Sequence, residues 1–301
     1  MTVTLKAGTA LPDGSKLIAD LSLDLPTLHF GIMGPPSSGK THLVASMEKP
    51  LLVLAADPFD KMAPYFDRGV LDPKVYAGQF GQPIRLVKSA TTGKAIIQIE
   101  GFHDTNPDAP AAFDALLKRA AQVRDEVIAG QWRSVALDSW SNIEYVAKER
   151  RRIGPLAVQG TDSRRGLRIA ANAKDDLLTM FNSRFVHLPC HLGVVLHTVE
   201  KRDEDGALVY RGMKVIGELK TDLPGSLGER YLARNIDGVR RQLDTRNVGY
   251  NCCTLIDAPS PCDNDFKALF TNWITKRAVA ANAAAAQPAA ADAAPQEGEA
   301  K

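Results

Sequence analysis

Apolar and polar positions fall into two kinds of segment along this chain. Residues 28–33, 51–56, 134–138 and 192–198 are short runs that are apolar almost throughout. Runs of that length without polar alternation predict strands of a parallel sheet covered on both faces. Between them the period changes to that of a helix. Phe113, Leu116, Leu117, Ala120, Val123 and Val127 recur at helical spacing, and Gly130 supplies a stop, which predicts a helix over 111–129. Further helices are expected over 42–48, from about Asn142, over 167–187 up to Pro189, and over 266–274. Buried strands alternating with helices predict an α/β domain around a mostly parallel central sheet.

The flanking segments read differently. Residues 1–25 suggest a short β-rich lead-in, with strands over 2–5 and 16–23 around Pro12-Asp13-Gly14. Within a less regular stretch, 59–110, a hairpin insertion is expected from 84–88 and 95–100 around Thr92-Gly93. A charged hairpin over 200–214 turns at Asp205-Gly206, and strands are expected over 239–243 and 252–256. The main domain is therefore placed at 26–275. Residues 276–301 are rich in Ala, Pro, Gln and Glu, with no aromatic residue, and are expected to be a disordered tail.

Composition narrows this picture only slightly. At 301 residues, 45% hydrophobic and 24% charged, the chain has ordinary globular proportions. Its net charge of +2 does not by itself point to a polyanionic partner, so any nucleic-acid surface must come from local clustering. No run of 18 apolar residues exists and residues 1–5 do not begin a signal peptide, so a cytoplasmic protein without membrane contact is expected. Cys190, Cys252, Cys253 and Cys262 show no metal-ligand spacing and are expected to be free thiols.

The chemistry begins at Gly34-Pro35-Pro36-Ser37-Ser38-Gly39-Lys40-Thr41, a complete G-x-x-x-x-G-K-T between an expected strand and an expected helix. From average composition, a chain of this length contains such a pattern by chance about once in a hundred cases. The glycines let the backbone wrap an anion, and the N–H groups of residues 34–42, through His42, would line nucleotide phosphates. Lys40 would reach the β- and γ-phosphates, and the Thr41 hydroxyl would hold Mg²⁺. The expected ligands are ATP and Mg²⁺; the absence of an N-K-x-D guanine-reading motif favours ATP over GTP.

A phosphate loop needs a carboxylate at the end of a neighbouring buried strand. Asp138, closing Val135-Ala136-Leu137, has that form and is the second metal-holding candidate; its alternative role is a helix cap. Asp57, after the strand over 51–56, stands where ligands bind in open α/β sheets and is the general-base candidate, with Asp60 as the fallback. A turn-forming Asp-Pro is the alternative reading of Asp57.

Together these residues resemble the RecA-like P-loop nucleotide-binding proteins. More narrowly, the chain looks like the phage-encoded members, some of which are ATP-dependent single-strand annealing proteins. The resemblance spans residues 26–245 and rests on the phosphate loop, the hydrophobic-Asp-Ser at Asp138, Val195-Leu196-His197, the charged hairpin and a turn at Leu223-Pro224-Gly225. The chain departs from it in having Asp57 where a Glu is common, and in a long polar segment before the helix that goes with the Asp138 strand.

The resemblance implies several further properties. His197 would be a γ-phosphate sensor, and the protein would assemble as a homo-oligomer in the host cytoplasm. Single-stranded DNA would be a partner, with single-strand-binding or other recombination proteins as further ones. Loops after the Asp138 strand and after the last core strand would face the DNA. The first carries Arg150, Arg151, Arg164 and Arg165, in a stretch (148–168) with seven cations against two carboxylates; the second carries Lys201, Arg202, Arg211 and Lys214. A solvated helix face, or a cationic finger to a neighbouring subunit's nucleotide, are the other uses of these residues. A loader or packaging ATPase acting through protein contacts is the competing function.

Overall fold

In the computed structural model, residues 2–11, 13–24, 27–106, 108–153, 157–159, 164–205, 208–215, 219–237, 240–246, 250, 252–254, 256 and 258–286 are described. The chain forms two compact units, one of Met1–Pro26 with Thr271–Lys301 and one of Thr27–Phe270. In the first unit, β1 (Thr2–Leu5) pairs antiparallel with β2 (Leu21–Asp24), and Leu11, Leu17 and Ala278 form a small core.

The second unit is built on β3 (His29–Gly34), α1 (Lys40–Ala45), β4 (Leu51–Ala55), α2 (Ala63–Phe66), β5 (Val70–Leu71), β6 (Tyr76–Ala77), β7 (Pro83–Lys88) and β8 (Ala95–Gly101). It continues through α3 (Ala112–Ile128), β9 (Ser134–Asp138), α4 (Trp140–Arg152), α5 (Arg165–Arg184), β10 (His191–Arg202), β11 (Leu208–Met213) and α6 (Leu219–Gly225). The order closes with β12 (Glu229–Ile236), β13 (Arg240–Asp244), β14 (Cys262–Asp263) and α7 (Phe266–Ala286), which starts here and runs on into the first unit.

Among the described residues these strands make one twelve-stranded sheet. Its middle, β12-β3-β10-β9-β4-β8, is parallel throughout, while antiparallel strands close both edges. The expected mostly parallel sheet is therefore present. The four apolar runs are its central strands, and β4 and β9 are buried at every residue. Alternate residues of β10 (Leu192, Val194, Leu196) join α3, α4 and α5 in the main core, where Trp140 and Phe181 meet edge-on with ring centres 5.3 Å apart. All six parallel strands point the same way, so their carboxyl ends, and the loops that follow them, gather along one edge of the sheet.

Four expectations change. The hairpin over 84–100 exists, but it is no mere insertion: β8 pairs in parallel with β4 because Ile97 and Ile99 are fully buried in the sheet. The Leu223-Pro224-Gly225 turn is the end of α6, held by Leu219 and Leu223, which are buried one helical turn apart with Leu227 beyond them. Of the strand expected over 252–256, the described residues show an isolated bridge between Arg230 and Cys253, and residue 255 lies outside them. The tail expected from 276 is helical to Ala286, where Ala278 is buried and the Asn282 side chain accepts from the Ile18 N–H; residues 287–301 lie outside the described residues. Alanine's high helix propensity, with that anchorage, explains the extension. No helix among the described residues is long and apolar enough to cross a membrane.

Candidate nucleotide site

The phosphate loop leaves β3 at Gly34, where a β-carbon would lie only 2.8 Å from the Ala233 carbonyl oxygen of β12, so glycine alone fits. Ser37 and Gly39 both take left-handed backbone (φ 62° and 94°), which curls the loop into a concave nest. Side chains from the neighbouring edge fix that shape. Asn235 donates to the Ser37 carbonyl at 3.3 Å and Asn264 to the Gly39 carbonyl at 2.9 Å. α1 begins directly at Lys40 with no side chain among the described residues capping it, leaving its first amides open to an anion.

Lys40 is buried and folded back over its own loop, donating to the Gly34 and Pro35 carbonyls at 2.9 and 2.6 Å. Gly34 and Pro35 thus serve the site by holding Lys40, whereas residues 36–42 line the cleft itself. Burial pulls the Lys40 ammonium down to about 8, opposed by the charges of Asp138 and Asp57. Both carboxylates therefore lie within electrostatic reach of the loop.

Asp138 ends β9, in register with Ala55 at the end of β4, and is fully buried. Burial raises its carboxyl to about 6 and Asp57 adds to the rise; the Tyr65 and Thr41 hydroxyls and Lys40 oppose it. Tyr65, from α2, donates to Asp138 Oδ2 at 2.8 Å. Its own burial and the nearby carboxylate push the Tyr65 phenol well above its usual range, so it remains a donor. Asp57 receives a hydrogen bond from Asn142 Nδ2 in the first turn of α4, and Lys61 stands 3.9 Å away. Asp60 is exposed and lies outside the lining, so the fallback base is set aside. His197 is paired in register with Gly34, and burial, then Lys40, lowers its affinity for a proton, which keeps the ring neutral at pH 7.

These groups converge on one cleft of about 1030 Å³, lined by the loop, Asp57, Asp138, Ser139 and His197. The buried hydroxyls of Ser38 and Ser139 line it and have no hydrogen-bond partner among the described residues. A ligand rich in acceptor oxygens would complete them. The Thr41 hydroxyl and the Asp138 carboxylate are hard oxygen donors side by side, the kind of pair that suits Mg²⁺.

No protein family and no curated protein matches this chain. Among solved structures it is similar to a prototypical ATPase from the type III secretion system of pathogenic bacteria, at 13% identity and a TM-score of 0.41. That match covers 76% of this chain and 58% of the other, so the chain spans little more than half of that protein.

Of the expected nucleic-acid residues, Arg150, Arg151, Arg164 and Arg165 do not line this cleft, whereas Lys214 does. Arg150 pairs with Asp114 at 2.7 Å and Asp176 at 3.0 Å, and Arg151 with Asp176 at 2.6 Å; their side chains are only 12% and 19% exposed. They tie α4 to α3 and α5, because a buried guanidinium needs a carboxylate partner. For these two the phosphate-contact expectation is corrected. Arg165 donates to the Val158 and Arg152 carbonyls at the start of α5, while Arg164 is exposed. Lys201, Arg202 and Arg211 occupy the β10–β11 ribbon, where Lys201 faces Tyr210 and Glu200 faces Arg211 in register; their side chains lie outside the description.

Sequence reasoning missed Tyr65, Asn142, Asn235, Asn264 and the cleft-lining Arg241, and it grouped Lys214 with the hairpin cations although Lys214 lines the cleft. A signal existed for Asn142 alone: it sits one helical turn after Asp138, on the strand-to-helix junction. Tyr65 is separated from Asp138 by 73 residues and carries no local pattern.

Proposed function

We propose that this protein binds ATP with Mg²⁺ and hydrolyses it to ADP and phosphate. One observation carries the reading: the glycine-shaped loop with Lys40, the buried Asp138 beside Thr41, and Asp57 held by Asn142 all open into the same cleft. Lys40 leaves its loop carbonyls to neutralise charge on the β- and γ-phosphates. Its burial strengthens that contact, since water screens it poorly there. Thr41 and Asp138 would hold Mg²⁺, which when bound neutralises phosphate charge. Asp57, oriented by Asn142, accepts the proton of the water that attacks the γ-phosphorus as the bond to the β–γ bridging oxygen breaks. His197, neutral where β10 parts from β3, offers a hydrogen bond to the same region.

A narrower reading adds single-stranded DNA, and with it a homo-oligomeric recombination protein of the phage annealing type. Its support is the resemblance of residues 26–245 together with the cationic β10–β11 ribbon, which rises from the strand that carries His197. The first test is phosphate release by parent and Lys40→Ala protein, with Mg²⁺ or with chelator, with and without an oligonucleotide. Mg²⁺-dependent turnover lost in Lys40→Ala, at unchanged thermal stability, is the expected result. Equal turnover by both proteins would defeat the ATPase reading, and turnover insensitive to the oligonucleotide would remove DNA stimulation from it.

A further inference from the structure

The β10–β11 ribbon returns to the nucleotide cleft at a defined point. Thr198 and Met213 are the last paired residues at its base, and Lys214 follows immediately. The Lys214 N–H donates to the His197 carbonyl at 2.7 Å, and the Ser141 hydroxyl donates to the Lys214 carbonyl at 3.2 Å. Val215, next in the chain, is buried. Lys214 is therefore pinned through its backbone to β10 where it parts from β3 and to the first turn of α4.

Its side chain behaves differently. It is exposed and lines the cleft, and among the described residues it has no hydrogen-bond or ion-pair partner. The other cleft lysines are engaged: Lys40 with two loop carbonyls, Lys61 near Asp57 and Lys148 with Glu144 at 2.6 Å. Lys214 is also close enough to His197, together with Lys40 and Asp57, to influence the charge of the ring. A compact ammonium on a flexible stem, held at a fixed root with no partner, matches a group that arrives with its own negative charge.

We infer that Lys214 contacts the terminal phosphate of the bound nucleotide, supplied within the same chain by the base of the β10–β11 ribbon. The inference rests on the ATPase reading above and goes further: the cation is neither on the phosphate loop nor borrowed from a neighbouring subunit. It gives the cleft a means of telling a triphosphate from a diphosphate. It also ties the ribbon to the nucleotide, because a displaced ribbon carries Lys214 away from the phosphate.

The experiment measures ATP and ADP affinity, in the presence of Mg²⁺, for the full-length parent, Lys214→Ala, Lys214→Arg and Lys40→Ala. Lys214→Ala should weaken ATP by about tenfold to a hundredfold, the range for one charged hydrogen bond, while ADP stays within about twofold. Lys214→Arg should recover part of the loss, and the retained ADP affinity shows that the variants are folded. An unchanged ratio of ATP to ADP affinity in Lys214→Ala overturns the inference but leaves the ATPase reading in place. Equal weakening of both nucleotides also overturns it, since the contact would then not be with the terminal phosphate. A parent that binds neither nucleotide removes the ATPase reading and the inference with it.

Discussion

Tyr65→Phe removes one oxygen atom from the interior of the protein and should be read out in the acid limb of catalysis. In the structure that oxygen donates to Asp138 Oδ2 at 2.8 Å, in a fully buried setting, and holds down a carboxyl that burial has raised to about 6. A hydrogen bond to a charged group is worth about 1.5–3 kcal/mol, and one pKa unit corresponds to about 1.4 kcal/mol. Losing it should raise Asp138 by about one to two units, to about 7–8. The sign follows from which form works: the metal-holding form is the carboxylate, and a higher pKa leaves less of it at any given pH. At pH 7 the ionised fraction should fall from about nine tenths to between one half and one tenth, a loss of about twofold to tenfold in kcat/KM. Above about pH 9 the two proteins should converge. The assay is phosphate release from pH 5 to 9 at subsaturating ATP, where kcat/KM reports ionisations of the free enzyme, with a Mg²⁺ titration at each end. Phenylalanine keeps the packing volume, so thermal stability should change little. A limb that stays where the parent's lies, in a folded protein, would refute the claim that Tyr65 sets the ionisation of Asp138.

The remaining predictions concern the division of labour. Asp138→Asn should raise the Mg²⁺ concentration needed for nucleotide binding, whereas Asp57→Asn should spare binding and slow single-turnover hydrolysis; parent-like turnover in Asp57→Asn would make Asp57 a turn residue. On the ribbon, Lys201→Ala, Arg202→Ala and Arg211→Ala combined should weaken single-stranded oligonucleotide binding and flatten its log–log salt slope by about two units, with ATP affinity unchanged. An unaltered slope would remove the ribbon from the DNA reading.

The central strands were legible because each is a short run buried on both faces, and such burial leaves its mark on every residue. β4 and β9 show it along their full length. Strands without such a run were harder to see. β12 carries Arg230, Arg234 and Asn235 among its apolar residues and takes its place in the sheet by pairing with β3, far away in sequence, while β14 is two residues long and exists through its pairing with β13. The arginines of α4 misled for a related reason. Their clustering is local, but the carboxylates that neutralise them, Asp114 and Asp176, come from two other helices.

By itself the sequence determined the phosphate loop, the parallel core, the strand-end placement of Asp57 and Asp138 and the position of His197 on the last core strand, because each depends on a few consecutive residues and on the periodicity of burial. Only the tertiary structure decided what surrounds those groups. It brought Tyr65 to Asp138 and Asn142 to Asp57, closed the loop with Asn235 and Asn264, and returned Lys214 to the cleft beside His197. Ionisation and orientation depend on neighbours in space, and the sheet makes neighbours of residues that the chain keeps far apart.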